Sequence, residues 1–168
     1  LLISEENLEM SLNTISCPYL IRYPSSCLRP LFQETYNTHI MEVIHTEATE
    51  DTPEIILNKE KEVFEISGRS LPEDVNTFYE PVLEWIDAYS KNPNPRTLFK
   101  FRFLYFNTAS SKIILDILTI FEEMIEDKHN VLVRWYYTET DEDMLDAGEE
   151  YAETVEVPFD FIAIKHII

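Results

Sequence analysis

The chain has 168 residues, 45% of them apolar, which suits one domain whose core needs no disulfide or metal support. Its 32 acidic residues against 13 basic ones leave a formal charge of −19, which excludes a nucleic-acid partner, because phosphate backbones are bound through clustered Lys and Arg. A basic patch on another protein, reached through an attraction that salt weakens, fits better. No apolar run nears the roughly 18 residues needed to cross a bilayer, so no membrane insertion is expected.

Residues 1–40 differ from the remainder of the chain. They hold four acidic residues and two arginines, and Pro18, Pro24 and Pro30 interrupt any helix. Their apolar residues keep no sustained period, so the segment reads as a disordered N-terminal extension, or as a stretch upstream of a true start at Met41. Both cysteines, Cys17 and Cys27, fall here, and two cysteines ten residues apart make a poor disulfide framework. No secretory leader is evident, and a reducing, cytoplasmic setting is expected. The domain proper is expected over 41–168.

After a polar, acidic stretch from Met41 to Asp51, two short β-like runs, Glu54 to Leu57 and Glu62 to Ser67, are joined by Asn58-Lys59-Glu60-Lys61, the length of a hairpin loop. Gly68 ends the pair. Ser70-Leu71-Pro72-Glu73 then has the form of a capping box, with Ser70 placed to accept from the backbone of Glu73. The helix it predicts buries Val75, Phe78, Val82, Trp85, Ile86 and Tyr89, is bent or truly begun at Pro81, and stops at Asn92-Pro93-Asn94-Pro95.

Leu98 to Phe106 alternates Phe99, Phe101, Phe103 and Tyr105 with Lys100 and Arg102, which predicts a strand. Residues on both of its sides are largely apolar, as in a central strand. A helix follows, with Ile113, Ile114, Ile117, Leu118, Phe121, Met124 and Ile125 on one stripe. Val131 to Tyr137 is a further strand, Glu142 to Thr154 an acidic helix with Met144, Leu145, Ala152 and Val155 inward, and Pro158 to Ile164 a last strand. The order predicts an α/β fold, a mixed sheet of about five strands with an N-terminal antiparallel hairpin, parallel neighbours and about three helices.

Chemistry is sparse. Gly68 and Gly148 are the only glycines, so no Gly-rich loop can cradle a nucleotide phosphate, and His39, His45, His129 and His166 are scattered without ligand spacing. Asp141 to Asp143 lacks the turn glycine of a calcium loop. Neither metal nor cofactor is expected. What stands out is the turn Asn107-Thr108-Ala109-Ser110-Ser111 between strand and helix. Thr108, Ser110 or Ser111 can be the cap of that helix, accepting from a free N–H and worth about 1 kcal/mol. The same geometry suits a phosphorylated hydroxyl, whose charge of about −1.5 to −2 would sit at the positive end of the helix dipole. The two roles are compatible.

Four blocks carry a resemblance: Gly68-Arg69-Ser70-Leu71-Pro72-Glu73-Asp74, Phe78-Tyr79-Glu80-Pro81-Val82-Leu83-Glu84-Trp85, Leu104-Tyr105-Phe106-Asn107-Thr108-Ala109-Ser110-Ser111-Lys112, and Val133-Arg134-Trp135-Tyr136-Tyr137. From about Pro53 to Ile164 the sequence resembles the SiaC family of bacterial regulatory phosphoproteins, which is similar in fold to the STAS domains of anti-sigma factor antagonists. The resemblance implies a STAS-like sheet and phosphorylation on the threonine of an Asn-Thr-Ser-Ser type motif, here Thr108, with Ala109 replacing the first serine. It implies partner switching, in which a cognate protein kinase and a PP2C-like phosphatase set the state. The unphosphorylated form would bind and activate a diguanylate cyclase, controlling cyclic-di-GMP signalling and biofilm formation. Asn107, Thr108, Ser110, Ser111 and Lys112 would form the docking surface, with Thr108 the expected acceptor ahead of Ser110 and Ser111, and the protein itself would be no enzyme. Two alternatives stand beside it: a STAS-like module binding a small anion or nucleotide at the same helix start, and an enzyme using Thr108 or Ser111 as nucleophile with a histidine as base.

Overall fold

A computed structural model describes residues 41–166. The expected extension over 1–40, with Cys17, Cys27 and His39, lies outside the described residues. The elements run β1 (Ile44–Thr46), β2 (Glu54–Asn58), β3 (Val63–Ser70), α1 (Val75–Ser90), β4 (Thr97–Phe106), α2 (Thr108–Glu126), β5 (Val131–Thr138), α3 (Glu142–Thr154) and β6 (Phe159–Ile164). The fold is the expected mixed α/β arrangement, with one strand more than alternation predicts. At three residues β1 is too short for a period to register, and it pairs antiparallel with β2 at the sheet edge.

The sheet keeps the strands in sequence order, antiparallel from β1 to β3 and parallel from β3 to β6. Three successive crossovers step the same way, and right-handed connections of that kind place all three helices on one face. Burial follows that geometry. Phe99, Phe101 and Phe103 of β4 are buried, while Lys100 and Arg102 of the same strand lie half-buried on the other face. There Glu65 meets Lys100 at 3.4 Å and Arg102 at 3.3 Å, and the Arg102 guanidinium lies 4.1 Å from the centre of the Tyr136 ring. The two sides of β4 therefore differ more than its composition suggests, one being core and the other an ion-paired surface.

The capping box at Ser70 is not formed. Gly68, at φ +102°, adopts a backbone that other residues rarely accept, and the register of β3 against β4 shifts there. Pairing with β2 ends at Ser67, as a break at Gly68 predicts, but β3 continues along β4 as far as Ser70 opposite Phe106. Ser70 is thus buried strand, and α1 begins later. Its cap is Asp74, which accepts from the Thr77 backbone at 3.1 Å and the Thr77 hydroxyl at 2.8 Å. The bonds from Thr77 hold the Asp74 carboxyl below its ordinary value. Pro81 lies within α1 on its exposed side and neither starts nor ends it.

Against the covered face α2 buries Ile113, Ile114, Ile117, Leu118, Phe121 and Met124. At about 1.5–3 kcal/mol for each such side chain, this stripe outweighs any cap in holding α2 in place. Helix α3 lies close against the sheet at Gly148: a Cβ there would fall 2.6 Å from the Trp135 ring, whose indole N–H donates to the Met144 carbonyl at 2.8 Å. Its buried side is Met144, Gly148 and Tyr151, with Val155 beyond its end, whereas Leu145 and Ala152 are only half-buried. Tyr151 follows Met144 by seven residues and so shares its face of α3, a position that the expected inward set of Met144, Leu145, Ala152 and Val155 leaves out.

Candidate functional site

Strand β4 ends at Phe106, and Asn107 leaves it in extended backbone at φ −90°, ψ 172°. The Asn107 side chain accepts from the Ser110 N–H at 2.8 Å, and its own N–H donates to the Ser70 carbonyl at 3.2 Å. Asn107 is therefore the helix cap, in place of the three hydroxyl residues expected there. Asparagine is as good a cap as serine or threonine, and the sequence of the turn offers it beside three hydroxyl residues that compete for the same role.

With the cap assigned, the hydroxyls separate. Ser110 is fully buried and donates to the Ser70 carbonyl at 3.1 Å, so it does not belong to an exposed docking surface and is no accessible acceptor. The Ser70 hydroxyl donates to Ser110 at 2.8 Å, which leaves the Tyr79 hydroxyl, 2.7 Å away, as donor to Ser70. This buried chain ties the end of β3, the second turn of α1 and the first turn of α2 together. Burial pushes the Tyr79 phenol up to about 12. Ser111 is half-buried, 2.7 Å from the Tyr151 hydroxyl, which in turn donates to the Ser111 carbonyl at 3.0 Å. Burial raises the Tyr151 phenol as well.

Thr108 is the first helical residue and is exposed, and no hydrogen bond joins its hydroxyl to another described residue. It shares a groove of about 430 Å³ between α2 and α3 with Lys112, Leu115, Ala147, Glu150 and Tyr151. Lys112, one turn along α2, is exposed on the same side. Beside the turn, Leu104 and Tyr105 are 48% and 47% exposed, and Arg69 lies 5.6 Å from the centre of the Tyr105 ring. These three extend the exposed surface, and alternation along β4 alone does not single them out.

The three helix starts differ in charge. Asp74 opens α1, and Asp141, Glu142 and Asp143 open α3, whereas no carboxylate stands in the first turn of α2 and its cap is neutral. The positive end of its dipole, with its free N–H groups, meets no anion from its own turn. Among the described residues, no three His, Cys, Asp or Glu gather to hold a metal ion, and no helix is long and apolar enough to cross a membrane. Among the described residues no histidine is hydrogen-bonded to Thr108 or Ser111: His45 is 3.5 Å from Glu54 in the antiparallel part of the sheet, His129 follows the far end of α2, and His166 lies exposed beyond the end of β6.

Comparison with known proteins agrees with this architecture. Residues 46–164 match the family model described as SiaC family regulatory phosphoprotein. An uncharacterized protein of Pseudomonas aeruginosa is 29% identical over 119 residues, which cover 71% of this chain and 94% of that protein. The crystal structure of apo-SiaC from Pseudomonas aeruginosa superposes with a TM-score of 0.66 at 27% identity, covering 72% of this chain and 98% of the other. A crystal structure of the diguanylate cyclase SiaD in complex with its activator SiaC, from the same organism, gives a TM-score of 0.69 at 28% identity, covering 72% and 99%.

Proposed function

The chain belongs to the SiaC family of regulatory phosphoproteins, and on that footing we propose that it is a non-enzymatic, cytoplasmic partner-switching protein whose switch is phosphorylation of Thr108. A cognate kinase adds the phosphate and a PP2C-like phosphatase removes it. The unphosphorylated protein binds and activates a diguanylate cyclase, so that Thr108 sets cyclic-di-GMP output. The relative whose structure was solved with SiaD is the activator of that cyclase, which supports the choice of partner.

The observation that carries the reading is the state of Thr108: exposed, outside the hydroxyl networks of Ser110 and Ser111, and at the start of the helix that lacks its own anion. A phosphate placed there meets free N–H groups and the dipole, and Lys112 stands one turn away. Stabilised in position, it changes the charge and shape that a partner meets. The docking surface is then Asn107, Thr108, Ser111 and Lys112, with Ser110 beneath it.

The test is phosphorylation of wild type and Thr108→Ala by the cognate kinase, followed by a cyclase assay with each form. The alanine protein is expected to take up no label and to activate the cyclase whether or not kinase is present. Equal labelling of the two proteins would overturn the assignment.

A further inference from the structure

We propose that the open face of the sheet is the interface of a homodimer, in which a second copy packs face to face about a two-fold axis running along the strands between β3 and β4. All three helices lie on the opposite face, and among the described residues none covers this one. The dimer does not depend on Thr108 being the switch.

Charge selects a second copy as the occupant. Two chains of formal charge −19 repel each other over most of their surface. On the open face, short of the bulge at Gly68, the strands instead set Glu54, Glu65 and Asp160 against Lys100, Arg102 and Arg134, a balance of three carboxylates and three bases. The arrangement of these charges is also self-complementary. Strand register places His45, Ile56, Glu65, Lys100, Arg134 and Asp160 side by side in one row across all six strands. An axis along the strands sets β3 over the second copy's β4, β2 over its β5 and β1 over its β6, with height along the strands unchanged. Glu65 then faces the second copy's Lys100, and His45 faces its Asp160. An axis across the strands would set each residue of the row over itself, Glu65 on Glu65 and Arg134 on Arg134, which like charges oppose.

The neighbouring row is apolar. Val63 and Leu98 stand one residue before the paired Phe64 and Phe99, Leu132 lies opposite Leu98, and all three are half-buried. The same axis lays Val63 over the second copy's Leu98. Packed sheets stand about 10 Å apart with strands within about 30° of each other, a gap that side chains of this length fill. At about 4.8 Å between strands and about 3.3 Å per residue, a face six strands wide and six residues long measures roughly 24 by 20 Å. Two such faces cover about 1,000 Å², the size at which a specific interface begins. Because the axis runs along the strands, the turns that follow β4 in the two copies open at the same end of the dimer.

The test is sedimentation of the full chain over a concentration series, where wild type is expected to form a reversible dimer. Glu65→Lys sets like charges against the second copy's Lys100, and Lys100→Glu does the same against its Glu65, so each variant alone is expected to dimerise at least tenfold more weakly. An equimolar mixture of the two puts opposite charges at both contacts and should restore a mixed dimer, a rescue that the Glu65–Lys100 pair within one chain cannot produce. Glu84→Lys, on the helix-covered side, should stay within twofold of wild type. Leu98→Gln, which leaves the charges in place, should weaken the dimer severalfold and decides the matter if the charge variants do not melt cooperatively. A wild type that sediments as a monomer at every concentration overturns the proposal. So does a dimer that the charge variants or Leu98→Gln leave unchanged, or a mixture of folded variants that stays monomeric.

Discussion

The inner and outer sides of one helical turn carry the same chemical group in opposite circumstances. Ser110 and Thr108 are two positions apart, and at 100° per residue their side chains leave α2 in nearly opposite directions. Ser110 enters the chain of hydroxyls with Ser70 and Tyr79, every member of which is buried. Thr108 faces outward at the edge of a groove. The inner hydroxyl is committed to holding three elements together, which fixes the outer one at a set place at the end of the sheet. A group that signals by changing the charge and shape a partner meets needs a fixed attachment, and the inner network supplies that attachment.

The comparison breaks most visibly if a charge is placed on each side in turn. Ser110→Asp puts a carboxylate where three hydroxyls already satisfy one another, so it is expected to cost more than about 3 kcal/mol in urea unfolding or to prevent folding. Thr108→Asp should change stability by less than about 1 kcal/mol. Equal stability of the two variants would show that the inner side is not closed.

High pH tests the same network without mutation. The Tyr79 phenol is raised to about 12 in the folded protein, whereas it ionises near 10 when unfolded. Between those values the unfolded chain releases a proton that the folded one keeps, so stability is constant from this source below pH 10 and falls as pH rises towards 12. The loss amounts to roughly 3 kcal/mol by the end of that window. Tyr89 and Tyr151 are raised too, so Tyr79→Phe should flatten the decline, not abolish it. An unaltered slope in Tyr79→Phe would remove Tyr79 from the network.

A smaller effect is expected at the hinge between the two sides. Asn107→Ala removes the bond to the Ser110 N–H and should lower stability by about 1 kcal/mol. Asn107→Asp retains the bond and adds the anion that the start of α2 lacks, so it is expected to be at least as stable as wild type at pH 7 by thermal melting.

How far the sequence disclosed this arrangement depended on whether the signal was local. The stripe of α2 and the alternation of β4 are periodic over many residues, and both elements are where periodicity places them. Thr108 stands out in the sequence because it lies in a local motif at a strand-to-helix turn. Its partition from Ser110 was hidden, since burial of Ser110 depends on Ser70, forty residues away, and on Tyr79. The capping reading of Ser70 failed for the converse reason. A local pattern was present, but pairing with β4 extended β3 through it. The roles of Gly148 and Tyr151, allowing α3 close to Trp135 and holding Ser111, were not legible because they are set by the approach of two elements.

The smallest change in stability is expected at Thr108 itself, and it is the one that separates structure from signal. Thr108→Glu places a single charge at the start of α2, where the dipole and free N–H groups favour it by about 0.3–1 kcal/mol, so the melting temperature should rise slightly. A phosphate carries nearly twice that charge and three acceptor oxygens, so glutamate should mimic it only in part. Cyclase activation by Thr108→Glu is therefore expected between that of the unmodified and the phosphorylated protein, with the fold at least as stable as before. Added salt should erode the gain in melting temperature, since charge interactions at an exposed helix start are screened. If the variant lost activation because it was less stable, the outer side of the turn would be structural after all, and its difference from Ser110 would be one of degree.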